Sequence, residues 1–164
     1  MNPVSYEGAN ALDEALVGIK EISNNISPHI LRNFGMVKAI QNYARRIHLI
    51  VPVQVECELD PAKRYPEVLE VTIYRILSEL IQNTILHADA TGISIQMAEE
   101  DDKILIRYLD DGKGFNYQET ICKFVGQGLL NIQSRIDALN GQYSFETEPG
   151  KGVCVVIRLS LADS

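Results

Sequence analysis

From Leu12 onward, apolar residues recur at Leu12, Ala15, Ile19, Ile22 and Ile26, in alternating steps of three and four. That rhythm predicts a helix with one apolar seam, as in a coiled coil or helical bundle. Two heptads do not separate this from an amphipathic helix lying on its own domain. Ser27-Pro28 should end or kink the helix, because proline lacks the N–H and crowds the preceding turn. A second helix is predicted over Met36–His48, and alternation over residues 51–58 predicts a strand. Residues 61–66 begin and end with proline and read as loop. A long, mostly apolar helix follows over Glu67–His87, then strands near residues 92–98 and 103–109. Residues 116–127 carry no strong pattern, whereas Leu129, Ile132, Ile136 and Leu139 mark a helix that Asn140-Gly141 should stop. Strands near Gln142–Thr147 and residues 153–159 flank a turn at Pro149-Gly150. The succession predicts an α/β sandwich of the α+β kind, a mixed sheet covered on one face by helices. A bundle or coiled-coil helix precedes it.

Composition narrows the picture. The length of 164 residues suits one domain with a short appendage. The net charge of −7 disfavours nucleic acid as a partner. No apolar run approaches membrane-spanning length, and no signal-peptide pattern opens the chain. Direct membrane contact is therefore not expected of this segment. Cys57, Cys122 and Cys154 are scattered, odd in number and without metal-ligand spacing, which reads as reduced thiols in a cytosolic setting.

Three stretches carry candidate chemistry. Glu79, Asn83 and His87 are spaced i, i+4, i+8 among Val68, Leu69, Ile73, Ile76, Leu77, Leu80, Ile81 and Ile85. On a helix they form one polar stripe. Polar groups on a mostly buried helix are costly without partners, so the stripe points to a polar ligand. A carboxylate and an amide oxygen suit a hard cation such as magnesium. Asp110-Asp111-Gly112-Lys113-Gly114-Phe115 follows a strand, and its glycines permit positive φ and close backbone approach. Gly126-Gln127-Gly128-Leu129-Leu130-Asn131 leads into a helix whose free N–H groups and dipole favour phosphate. Taken singly, each has a plainer reading: a solvated helix face, a turn, a loop. Their order and context together describe a nucleotide pocket.

In that combination the chain resembles the ATP-binding catalytic domain of a two-component sensor histidine kinase. The same GHKL superfamily holds gyrase, the heat-shock chaperone ATPases and the mismatch-repair ATPases. Glu79 to His87 resembles the N box, Asp110 to Gly114 the G1 box, and Gly126 to Asn131 the G2 box. Ser134-Arg135-Ile136-Asp137-Ala138-Leu139-Asn140-Gly141, with Glu148-Pro149-Gly150-Lys151-Gly152, resembles the close of the subfamily often paired with helix-turn-helix response regulators. The likeness runs from about Glu21 to Leu161. It implies that ATP and magnesium (Mg²⁺) are the cofactors and that Asn83 is the metal ligand. Glu79 corresponds to the catalytic carboxylate that orients the metal's water or polarises the attack. His87 lies near the phosphates, and Asp110 accepts from the adenine amino group. Gly112 and Gly114 let the backbone pass the base and ribose, and Gly126, Gly128 and Leu129 form the phosphate-facing end of a lid over residues 116–127. As plainer alternatives, His87 is a helix C-cap, Asp111 and Lys113 are solvated turn residues, and the lid is an ordinary loop.

The resemblance further implies that residues 1–28 are the end of a second dimerisation and phosphotransfer helix and that residues 29–164 are the catalytic domain. The chain departs from the family at three points. Leu86 stands where a basic residue often precedes the histidine, and Val153 stands where a threonine hydroxyl often helps hold water at the adenine. The histidines are His29, His48 and His87; His29 follows Pro28 and His48 ends a helix, and neither of these two has the acidic neighbour of a phosphoacceptor. The expectation is a truncated kinase that cannot phosphorylate itself. It would donate to a histidine on a missing helix for relay to a response regulator, as the cytoplasmic part of a membrane-bound sensor that is a homodimer at full length. Two alternatives stand beside it: an anti-sigma-factor-type serine kinase of the same fold, and a catalytically silent nucleotide-binding module.

Overall fold

A computed structural model describes Glu14, Val17, Gly18 and residues 28–122 and 127–161. The seam expected over residues 12–26 lies outside the described residues, apart from single positions that are not members of it. Along the chain come α1 (Pro28–Phe34), α2 (Met36–His48), β1 (Gln54–Glu58), α3 (Glu67–His87), β2 (Gly92–Glu100) and β3 (Lys103–Asp110). They are followed by α4 (Tyr117–Cys122), α5 (Gln127–Ala138), β4 (Gln142–Thr147) and β5 (Val153–Ser160). The strands form one sheet in the order β1-β2-β3-β5-β4. β1 pairs parallel to β2, and the other pairings are antiparallel. The mixed sheet is thus as expected.

Alternation along the strands sets the layers. Ile93 and Ile95 of β2, Ile104, Ile106 and Tyr108 of β3, and Val155, Ile157 and Leu159 of β5 are all buried. The ladder sets Ile95 opposite Tyr108 and Tyr108 opposite Val155, so these side chains share one face. A one-residue slip would turn the whole set to solvent, which is what pins the register. Helical residues complete the core: Met36, Ile40 and Tyr43 of α2, Ile73, Ile76, Leu77 and Ile81 of α3, and Leu129, Ile132 and Ile136 of α5. Ser94, Gln96, Arg107 and Arg158 fall on the opposite face, in keeping with helices covering one side only.

Three elements differ from expectation. α1 begins at Pro28, so this proline starts a helix instead of merely ending one; at the first helical position its missing N–H costs nothing. β1 begins at Gln54, not at Val51. The N–H groups of Ile50 and Val51 both reach back to the Ile47 carbonyl, and that of Val53 reaches Val51, so the chain is still turning there. The patternless stretch after Phe115 holds the short helix α4, where the Asn116 side chain accepts from the Glu119 N–H. The stop after α5 is as expected, with labour divided between two residues. Asn140 takes the left-handed conformation (φ 49°), and the Gly141 N–H closes on the Ile136 carbonyl at 2.9 Å.

Glu70, Ser78 and Thr84 of α3 are buried and paired. Glu70 is 2% exposed and accepts from Arg64 Nε at 2.9 Å and from the Tyr65 N–H at 3.0 Å. Arg64 also donates to the Arg32 carbonyl at 3.0 Å, which ties the end of α1 to the loop before α3.

Candidate nucleotide site

α3 carries the polar stripe along a cavity of about 370 Å³. Asn83 and His87 line it, together with Leu80, Thr84 and Ala88. Asn83 and Glu79 are half-buried, whereas His87, the last residue of the helix, is exposed at the rim. The C-cap is Ala88, not His87. Glu79 and Asn83 converge beside Gly128. A Cβ on Gly128 would lie 2.4 Å from Glu79 Oε1 and 3.1 Å from both amide atoms of Asn83. The first turn of α5 therefore abuts the stripe only because residue 128 has no side chain. Leu129, next in line, is buried and forms part of the cavity wall. Gly126 lies outside the described residues.

Asp110 closes the other end. It is the last residue of β3, 8% exposed, and faces the cavity. Its Oδ1 accepts the Gly112 N–H at 2.9 Å, and its Oδ2 accepts the Thr84 hydroxyl at 2.8 Å. Thr84 Oγ1 also lies 2.7 Å from the Tyr108 hydroxyl, which reaches the Leu80 carbonyl at 3.1 Å. Burial pushes the Tyr108 phenol well above its ordinary pKa; the Thr84 contact opposes this, and the charge of Asp110 adds to it. Tyr108 therefore remains a proton donor.

The glycines of the G1-like turn serve the protein's own packing. A Cβ on Gly112 would meet Ala88 Cβ at 2.5 Å and the Ala88 carbonyl at 2.6 Å. Gly114 has φ +59°, and a Cβ there would lie 2.1 Å from the Glu148 carbonyl. Gly152 has φ +69° and would press a Cβ to 2.1 Å from the Asp110 carbonyl. The turn after β3 and the turn before β5 are thus stacked backbone on backbone. Thr147 Oγ1 bridges them, accepting from the Phe115 N–H and donating to the Gly152 carbonyl. Gly114 also lines the cavity.

Asp111 and Lys113 do more than face solvent. Asp111 accepts from the Thr91 hydroxyl at 2.6 Å, the Thr91 N–H at 2.8 Å and the Gly92 N–H at 2.9 Å. The Thr91 hydroxyl first, then the Gly92 N–H, hold its carboxyl below the ordinary value. Lys113 lines the cavity and lies 3.2 Å from Asp89.

The remaining walls are Leu80, Phe115, Leu129, Phe145 and Val153, which are apolar, and Thr120 of α4. Tyr117 of α4 stacks on Phe145 with ring centres 5.5 Å apart, so this part of residues 116–127 packs beside the pocket. The sequence reading did not single out Thr84, Tyr108, Phe115 or Phe145. Two of the four left a signal. Thr84 continues the apolar line Leu77–Leu80 at helical spacing and so had to be a buried hydroxyl. Tyr108 stands two residues before Asp110, hence on the same strand face. Among the described residues, no three of His, Cys, Asp or Glu gather as a metal cluster, and no helix is long and apolar enough to cross a membrane. Cys57 and Cys154 are free thiols.

Comparison with known proteins agrees with this geometry. Residues 69–163 match the family described as histidine kinase-, DNA gyrase B-, and HSP90-like ATPase. The chain is 29% identical over 146 residues to the sensor histidine kinase ComP of Bacillus subtilis (strain 168), covering 87% of this chain and 19% of that protein. It is 25% identical over 148 residues to the signal transduction histidine-protein kinase/phosphatase DegS of Brevibacillus brevis, covering 90% of this chain and 38% of that protein. The chain thus spans well under half the length of these curated relatives. In fold it is similar to the histidine kinase domain of the Erythrobacter litoralis EL346 blue-light activated histidine kinase, with a TM-score of 0.69 and 15% identity over 91% of this chain and 74% of that one.

Proposed function

The chain belongs to the histidine kinase-, DNA gyrase B-, and HSP90-like ATPase family, and from that premise we propose that it is the Mg-ATP-binding catalytic domain of a sensor histidine kinase. The observation that carries this reading is convergence. The α3 stripe, the end of β3 and the first turn of α5 meet at one cavity.

In this reading Asp110 accepts from the adenine amino group, and Leu80, Leu129, Phe115 and Val153 provide apolar walls for the base. The first N–H groups of α5, at Gly128 and Leu129, face the phosphates, with His87 and Lys113 at the rim. Magnesium is held through one or two side-chain oxygens together with substrate phosphates and water, and Asn83 and Glu79 side by side fit that demand. When bound, it would neutralise charge on the transferring phosphoryl group. Glu79 would orient water at the metal or polarise the attack. The protein's contribution is positioning and fixed charge. Residues 116–127 act as the lid.

The γ-phosphoryl group passes to a histidine on a dimerisation and phosphotransfer helix, and from there to a response regulator. Residues 1–28 are the end of such a hairpin, residues 29–164 are the catalytic unit, and the full-length protein is a homodimer acting in the cytoplasm. Leu86 and Val153 favour one alternative, a silent nucleotide-binding module. Calorimetry with and without magnesium tests the site. Asn83→Ala should lose the metal-dependent part of ATP affinity, and Asp110→Asn should lose selectivity for adenine. Unchanged binding in both variants refutes the assignment. Supplying an acceptor helix should yield acid-labile phosphohistidine; binding without transfer identifies the silent module, and phosphoserine the serine kinase.

A further inference from the structure

We propose that the Thr84 hydroxyl, oriented by Tyr108, is the positioning group that locks the Asp110 carboxylate for a ligand amino group, replacing from the helix side a hydroxyl that Val153 cannot offer from the strand side. The proposal rests on the reading of the cavity as an ATP site and adds to it the source of its base selectivity.

A carboxylate only accepts, so whatever meets it in the cavity must donate. Adenine presents an exocyclic amino group there, and guanine presents a carbonyl oxygen. That discrimination is sharp only if the carboxylate plane is fixed, because the terminal torsion of an aspartate is otherwise broad. Two donors from different parts of the fold fix it: the Gly112 N–H at Oδ1 and the Thr84 hydroxyl at Oδ2.

Counting protons gives the direction of the relay. A hydroxyl has one proton. Thr84 gives its proton to Asp110, which as a carboxylate has none to return. The 2.7 Å contact between Thr84 and Tyr108 is then a bond donated by Tyr108, which shares its proton with the Leu80 carbonyl. Tyr108 is fully buried and Thr84 is 4% exposed, so water does not compete for these bonds. Val153 stands opposite Asp110 in the β3–β5 ladder and lines the same cavity with methyl groups alone. The strand side therefore provides no donor, and the helix side does.

The test is equilibrium binding of ATP, GTP and purine-riboside triphosphate, which lacks the amino group, to the full chain and to variants whose folding is checked by circular dichroism. Thr84→Val should lower the ATP-over-GTP preference by about tenfold, the scale of one hydrogen bond to a charged acceptor. Affinity for purine-riboside triphosphate should hardly change. Thr84→Ser should keep the preference, and Val153→Thr added to Thr84→Val should restore it. An unaltered preference in Thr84→Val overturns the proposal and leaves the ATP site standing. An equal loss for all three triphosphates also overturns it, since that marks a structural role only. If Thr84→Val does not fold, Tyr108→Phe decides by the same measure: a lowered preference supports the relay, and an unaltered one overturns it. Failure of the unaltered chain to bind ATP overturns the site reading and the proposal together.

Discussion

Replacing Gly152 by alanine should cost more stability than the same change at Gly150, two positions earlier. Both glycines have positive φ, +69° and +83°. Left-handed backbone costs an L-residue roughly 1–2 kcal/mol, and both variants share that term. Their surroundings differ. A Cβ at Gly150 would meet nothing within 4 Å. At Gly152 it would lie 2.1 Å from the Asp110 carbonyl oxygen, where ordinary contact starts at 3.4 Å. The obstacle is backbone, not the end of a flexible side chain. Nor can the turn drift aside, because Thr147 holds the Gly152 carbonyl at 2.8 Å and Asp110 is paired with Val153 in the ladder. Forcing atoms into such a packed place adds roughly 1–3 kcal/mol. For a domain of this size that difference separates the two melting temperatures by roughly 2–12 °C. Because the displaced residue is Asp110, ATP affinity should fall in Gly152→Ala and persist in Gly150→Ala. Thermal unfolding and calorimetry on both variants test this. Equal melting temperatures would refute the stacking of the last turn on the end of β3.

Two further outcomes are expected. Glu70→Ala removes the acceptor of Arg64 and of the Tyr65 N–H, and should lower the urea midpoint by the equivalent of roughly 1.5–3 kcal/mol, the range for a hydrogen bond to a charged group; an unshifted midpoint would count against the clamp. The carboxyl of Asp111 is held below its ordinary value in the folded chain, chiefly by the Thr91 hydroxyl, so its stabilisation is complete above the ordinary carboxylate pKa and fades as pH falls through the lowered one. Urea midpoints of the wild type and Asp111→Ala should therefore converge in acid, and a gap that widens on acidification would contradict this.

The bounds of α2, α3 and β4 are legible in the sequence, because each depends on a period visible within its own residues. So is the stop at Asn140-Gly141, which is local turn chemistry. The order of sequence boxes likewise foretells that Asn83, His87, Asp110, Gly128 and Leu129 share one cavity. α1 escapes that reading, since its seven residues are too few to show a period. β1 starts late because the turn at the end of α2 consumes the residues that alternate before it.

What tertiary structure alone decides is partnership. Thr84, Tyr108 and Asp110 are separated by up to 26 residues, and no pattern in either segment announces that they touch. Gly112 and Gly114 look in sequence like concessions to a ligand, yet the atoms crowding them belong to Ala88 and Glu148. The reason is physical. Backbone period and turn propensity act within a few residues and are written into the local order of side chains. Which faces meet, and at what register, follows from burying all the apolar faces at once, and that condition belongs to the folded chain as a whole.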